Sequence, residues 1–499
     1  MTDYQKLEDH FRSIAHLSHA ESILGWDHST IMPNGGQQDR SACLTELGVI
    51  KRKMITKPEL LDWVDSAKQD ASLNNWQKAN VREIDRLLQT THQITDDLAK
   101  AKSQACSKSE FAWRSLRAEN NWKDFAPLLK EVIALSLEEA QQRASHTGRS
   151  PYDALIDLYE PGQTTTSIEK TFSQLRDFLQ PFIPVVLEKQ KSQSVIPLQG
   201  PFAVEHQKNL GLEIMQHIGF DFNHGRLDVS HHPFCGGVPT DVRITTRYDE
   251  NDFQSSLMGV IHETGHASYE QGLPKDWITQ PVGHARSTGM HESQSLLFEM
   301  QVSRSKAFFD FATPIMQKHL GNNTQPANML SAENLYALST RVEPGLIRVD
   351  ADEVCYPMHI ILRFEIEKAL LAQEITVDDL PEIWHEKMQA YLGLSTLGND
   401  KDGCMQDIHW SYGALGYFPT YTLGAMAAAQ LFQSACKKHP NIPDEIAKGQ
   451  FSTIRAWLAH NIWLQASLQN TDDLMIAATG KPLQASFFIE HLQTRYNGA

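Results

Sequence analysis

In the stretch "VIHETGHASYE", residues 260–270, two histidines stand four apart and a glutamate follows the first. Four residues is slightly more than one helical turn. On a helix, His262 and His266 would therefore share a face, and their imidazoles could hold one ion. Glu263 would sit about 100° round from His262, within reach of a water on that ion. Two imidazole ligands beside a general-base carboxylate suit metal-assisted hydrolysis. The plain alternative is a core helix with two hydrogen-bonded histidines, since the chain carries 22 histidines in all.

The flanking residues favour the metal reading because they supply the helix it requires. "NDFQSSLMGVIHETGHASYEQGLP" opens on Asn251 and Asp252, good N-cap types. It closes on Gly272 and Pro274, good stop signals. Phe253, Leu257, Val260 and Ile261 give it an apolar face. A catalytic zinc takes three protein ligands and keeps one position for water, and no third histidine follows closely in the HExxHxxGxxH manner. Downstream, "GMHESQSLLFEMQVSRSKAFF" is helix-like through Leu296, Leu297, Met300 and Val302, and opens with His291 and Glu292. The linker "GLPKDWITQPVGHARST" is long enough to bring that helix alongside the first. Glu292 would then complete a His, His, Glu set. His291 competes for the same place, but neighbours on a helix point about 100° apart, so one of the two faces the ion.

Around this pair of helices the chain is overwhelmingly helical in pattern. Leu7, Phe11, Ile14, Leu17 and Leu24 recur at three- and four-residue steps, and similar stripes continue to about residue 190. Breaks fall at "MPNGG" (32–36), "RSPYD" (149–153) and "EPGQTT" (160–165). Strand character is confined to 225–248, where "RLDVS" and "DVRITTRY" flank the turn-rich "HHPFCGGVPT". A mainly α fold with one small sheet follows. Its 499 residues read as a single unit, with a helical lobe over about 1–200 and the remainder, about 200–499, carrying the HExxH helix.

Composition narrows the partners. The formal charge is −16, which disfavours phosphate backbones, so no nucleic acid is expected. No basic run invites an anionic membrane, and no apolar window is long enough to span one. Six scattered cysteines without a CxxC pair suit a reduced, cytoplasmic setting. The first residues lack a basic stretch followed by an apolar one, so a signal peptide is not expected.

Several segments together resemble the carboxypeptidase Taq family of metallocarboxypeptidases. They are "GWDHSTIMPNGG" (25–36), "HPF" (232–234), "DVRIT" (241–245), "HETGH" (262–266), "HESQS" (291–295), "IRVDAD" (347–352) and "GCMQDIHW" (403–410). His28 and Cys355 depart from the pattern without touching the proposed metal set. The resemblance implies a large helical neurolysin-like fold with a deep central channel and a small antiparallel sheet near the active site. It also implies a homodimer and the release of single residues from peptide C-termini.

Roles follow on that basis. His262, His266 and Glu292 would hold one divalent ion, zinc first and cobalt as a substitute. Glu263 would take a proton from the attacking water and hand it to the leaving amine. His409 and Tyr421, twelve apart as in neurolysin-like enzymes, would donate to the oxyanion, with Tyr417 nearby. Gly413, Gly416 and Gly424 suggest a loop that swings the tyrosine in. Arg348 is the first choice for the substrate's free carboxylate, since a guanidinium offers paired donors in a fixed fork. Arg243 and Arg247 are alternatives, and an ion pair of Arg348 with Asp350 or Asp352 is the bland reading. His232 in the "HHPF" turn would narrow the channel beyond the first subsite. Glu270 is either a partner behind the ligands or solvated surface. The rivals are a dipeptidyl carboxypeptidase or oligoendopeptidase on the same scaffold, and a peptide-binding scaffold without chemistry.

Overall fold

Helix starts are written locally in this chain. Thr2, Asn74, Ser150 and Asp252 each turn a side-chain oxygen onto the free N–H groups of the helix they precede. In the computed structural model, which describes residues 1–322 and 325–497, twenty α-helices and one three-stranded sheet are formed. The fold is mainly α, as the periodicity predicts. No helix among the described residues is long and apolar enough to cross a membrane.

The sheet corrects the antiparallel expectation. Strand β1 (Gly225–Val229) runs parallel to β3 (Asp241–Thr246), and only β2 (Cys235–Val238) is antiparallel to it, in the order β1-β3-β2. The "SHHPF" connection leaves a slot between β1 and β2, which β3 fills. Thr245 fastens that connection across the end of the slot. Its hydroxyl oxygen accepts from Phe234 N at 3.0 Å and from Ser230 Oγ at 2.7 Å. Short-range alternation carries no information about which neighbour a strand chooses, so the mixed order was not legible locally.

Among the described residues three apolar cores result. Tyr4, Leu7, Phe11, Ile14, Leu60, Val64, Ile84 and Leu88 close a small N-terminal one. The helices Trp122–Thr147 and Thr165–Gln190 instead pack into the main core, which continues to Tyr496. A third cluster joins Val242 and Ile244 of β3 to Val260 and Ala267 of the helix Phe253–Gly272, and so seats the sheet against the HExxH segment.

Candidate active site

The HExxH segment lies in mid-helix, on Phe253–Gly272, whose N-cap Asp252 accepts from Ser255 N at 3.2 Å. A second helix, Thr288–Leu296, crosses it closely enough to bring Glu292 to the two histidines. Gly265, the fourth residue of HETGH, permits that crossing. A Cβ there would stand 2.5 Å from Gln294 O and 2.6 Å from Ser295 Cα. The N-terminus of the second helix is capped from afar by the buried carboxyl of Glu160, which accepts from Gly289 N.

Donor atoms of His262, His266 and Glu292 all fall within 4.8 Å of one another. Glu292 Oε2 is 3.3 Å from His266 Nε2 and 3.9 Å from His262 Nε2. Both imidazoles thus turn their Nε2 inward. Each Nδ1 is held from behind: His262 by Glu299 Oε2 at 2.9 Å, His266 by His291 Nδ1 at 2.6 Å. Behind these stand Arg304, donating to Glu299 Oε1 at 2.6 Å, and Glu270, 2.8 Å from His291 Nε2. Such partners fix ring orientation and tautomer at metal sites. His291 therefore faces the back of His266 and Glu292 faces the front, and Glu270 belongs to the site, not to the surface.

The charge balance calls for a cation. Three carboxylates, Glu263, Glu292 and Glu299, gather round His262. Burial opposes a charge on that ring, yet the Glu292 charge and the Glu299 hydrogen bond outweigh it and lift His262 to about 10. His266 is pushed down to about 4, chiefly by burial. Glu292, despite burial, is drawn down to about 2 by His262 and His266. Burial raises Glu263 to about 7, and its Oε2 is buried without a hydrogen-bond partner. Two imidazoles with Nε2 turned inward, a carboxylate and an unpartnered acid beside them fit a divalent ion.

The second half of the site comes from the C-terminal part of the chain. His409 opens the short turn His409–Tyr412, and its Nε2 lies 3.1 Å from Tyr421 OH. Burial pushes His409 down to about 3, so the ring is neutral at ordinary pH. Tyr421 stands in the first turn of the helix Pro419–Lys438, with its ring 5.3 Å from that of Tyr417. This corrects the swinging-loop expectation. Gly424 lies inside that helix, and a Cβ there would meet Glu292 Cβ and Cγ at 2.9 Å, so its smallness serves close packing. Burial raises Tyr417 and Tyr421, and the Glu292 charge adds to both shifts. Glu367 ties down the turn, accepting from Trp410 Nε1 at 2.8 Å and Gly416 N at 2.9 Å. The helix Asp96–Ala118 splints it from outside: Lys102 Nζ donates to Gly413 O at 3.1 Å and Trp113 Nε1 to Met405 O at 2.8 Å.

Arg348 is buried, and its carboxylate partner is Asp407, not Asp350 or Asp352. Nε and Nη2 donate to Asp407 Oδ1 at 3.0 and 2.8 Å, and the guanidinium lies 4.8 Å over the Tyr421 ring. Arg363 shares the same carboxylate, donating from Nε at 2.7 Å. Two guanidiniums on one carboxylate leave one positive charge beside Tyr421 and His409.

The remaining candidates lie apart from these contacts. Arg243 is gripped by Asp241 at 2.9 and 2.7 Å. His232 is exposed on the turn before Phe234, whose ring packs 5.0 Å from Trp26. Asp407, Arg363, Glu299 and Arg304 were missed. Asp407 sits two residues before His409 in a segment already singled out. Glu299 follows Glu292 by seven, the spacing of one helix stripe.

Comparison with known proteins places nearly the whole chain in one family. The family described as carboxypeptidase Taq (M32) metallopeptidase matches residues 6–496. Thermostable carboxypeptidase 1 of Pyrococcus furiosus is 35% identical over 494 residues, covering 97% of each chain. Carboxypeptidase 1 of Bacillus subtilis is 33% identical, covering 98% of this chain and 97% of its own. Among solved structures, Trypanosoma cruzi metallocarboxypeptidase 1 superposes with a TM-score of 0.96 at 43% identity, covering 99% of both chains. PZ peptidase A, at 11% identity and a TM-score of 0.66, shares the fold alone.

Proposed function

The chain belongs to the carboxypeptidase Taq (M32) family of metallopeptidases, and from that premise we propose that it removes single residues from the free C-termini of peptides, with His262, His266 and Glu292 holding one divalent ion. Membership makes it a metal-dependent carboxypeptidase acting on peptides. The observation that carries the residue assignment is the convergence of three donors within 4.8 Å beside the unpartnered Oε2 of Glu263. Zinc is our first choice of ion and cobalt the second, since imidazole and carboxylate ligands accept either.

When bound, the ion supplies a Lewis acid that makes water more acidic and polarises a carbonyl. Glu263 accepts the water's proton at its free carboxylate oxygen and delivers it to the departing amine. The buried wall around Glu263 keeps bulk water from competing for that oxygen. Tyr421 donates its hydroxyl hydrogen to the oxygen on which charge develops, and neutral His409 orients that hydroxyl. Tyr417 lines the same side. Arg348 meets the substrate's terminal carboxylate. Asp407 and the Tyr421 ring hold the guanidinium in place, and Arg363 keeps Asp407 from cancelling its charge. One net positive charge at this end suits one terminal carboxylate, which favours exopeptidase over internal cleavage. His232 is assigned to the outer wall, restricting overhang beyond the cleaved residue, and Arg243, paired with Asp241, is the alternative for the terminal carboxylate. We further place the protein in the cytoplasm as a homodimer. Six free cysteines suit a reducing compartment.

The test is a pair of matched peptides, one with a free C-terminus and one amidated, digested by metal-loaded enzyme and followed by mass spectrometry. A ladder of single-residue steps on the free peptide alone is the expected result. Equal rates on both, steps of two residues, or internal cuts would overturn the assignment.

A further inference from the structure

The back of the metal site leans on the far end of the chain. Glu299, which holds His262 Nδ1, lies in a π-helical segment, Leu297–Val302. At the C-terminal end of a helix the last carbonyls lack partners within it. The two that follow Glu299, those of Met300 and Gln301, are taken by Arg495: Nη1 donates to Met300 O at 2.6 Å and Nη2 to Gln301 O at 3.2 Å. Arg495 Nη1 also lies 2.9 Å from Glu353 Oε2. That carboxylate is fully buried, and Tyr496 OH (3.0 Å), His491 Nε2 (2.6 Å) and Gln301 Nε2 (3.5 Å) also lie against it. Arg495 and Tyr496 belong to the last described turn, Gln493–Asn497, nearly two hundred residues from the segment they fasten.

We propose that Arg495, anchored on Glu353, is a positioning residue for the metal site. By tying the carbonyls of Met300 and Gln301 it fixes the backbone that presents Glu299 to His262, so that ion affinity depends on the turn Gln493–Asn497. This rests on the reading of His262, His266 and Glu292 as ligands. A turn that merely closed the core could do so with Leu492 and Tyr496, both buried. A guanidinium taken out of water needs a specific set of acceptors. Here that set is two consecutive carbonyls and a carboxylate, all bordering Glu299 or its support.

The experiment measures the dissociation constant for Zn²⁺ by chelator competition on full-length protein stripped of metal. Arg495→Lys keeps a charge for Glu353 but lacks the fork that spans both carbonyls. It is expected to weaken binding by about tenfold, in the range that supporting partners of ligands command. Glu299→Gln is expected to weaken binding by about 10- to 100-fold. In the Glu299→Gln background, Arg495→Lys should add less than about twofold, because both act through one residue. A purely structural role would move thermal unfolding of the metal-free protein and leave this non-additivity absent. Unchanged affinity in Arg495→Lys, or full multiplication in the double variant, overturns the proposal. Should Arg495→Lys not fold, Tyr496→Phe removes one donor from Glu353, and an expected weakening of about threefold is read the same way. Loss of binding in His262→Ala with Arg495→Lys unaffected sinks this inference alone, whereas undiminished binding in His262→Ala sinks the ligand assignment with it.

Discussion

Replacing Gly265 by alanine sets two physical effects against each other. Local propensity favours the substitution, since alanine is better than glycine in a helix interior by about 1 kcal/mol. The tertiary structure opposes it. The new Cβ would stand 2.5 Å from Gln294 O and 2.6 Å from Ser295 Cα, where ordinary contact starts near 3.4 Å. Both are backbone atoms, so no side-chain rotation relieves the clash and the two helices must part by about 1 Å. Overpacking of this kind costs about 1–3 kcal/mol, which matches or outweighs the propensity gain and leaves a net loss of about 0–2 kcal/mol. Glu292 rides on the displaced helix, two residues before Gln294. A shift of about 1 Å at a reacting centre lowers rates by about 100-fold. Denaturant midpoints of the metal-free protein and kcat/KM of the loaded enzyme on a peptide with a free C-terminus read the two consequences separately. A Gly265→Ala protein of equal or greater stability and undiminished kcat/KM would show that the helix crossing does not position Glu292.

Other outcomes follow from the same geometry. Glu263→Gln should bind the ion normally and lose about 10²- to 10⁴-fold in kcat, which metal analysis and steady-state kinetics check together. Arg348→Ala should raise KM for free C-terminal peptides with much less effect on amidated ones. Asp407→Asn leaves two buried guanidiniums without their carboxylate and should cost about 3–5 kcal/mol in chemical denaturation. Its neighbours, Arg363 and Arg348, overcome burial and hold the Asp407 carboxyl well below its usual value. A depressed carboxyl adds stability that is complete above the unfolded-state pKa of about 4 and lost as pH falls below it. Wild-type stability should therefore drop between about pH 5 and 2, and that slope should be shallower in Asp407→Asn.

Much of the site was legible because its signals are local. The helix around His262 and His266 has its cap, stripe and stop within one stretch, and Glu292 was reachable from the ligand count that zinc demands. Asp407 was not found as the partner of Arg348 because the two are far apart in sequence, and nearer acids at 350 and 352 offered a simpler pairing. In the structure Asp352 instead accepts backbone N–H groups of Glu343, Val354 and Cys355. The glycine run 413–424 read as flexible, yet Gly424 sits in a helix where its smallness lets Tyr421's helix approach Glu292. Propensity alone does not separate a glycine that bends from one that admits a neighbour.

The sequence by itself determined the mainly helical pattern, the start and stop of the HExxH helix, the small strand region and the residue types that could bind an ion. Those properties depend on periods of two and 3.6 residues and on side chains within one or two turns. Only the tertiary structure decided the order of the sheet, the inward Nε2 of both histidines, the roles of Glu299 and His291 behind them, and the reach of Arg495 to Met300. Each of these is a contact between segments tens to hundreds of residues apart. Such contacts are chosen by how buried charges find partners and how closely backbones pack, and no local spacing encodes that choice.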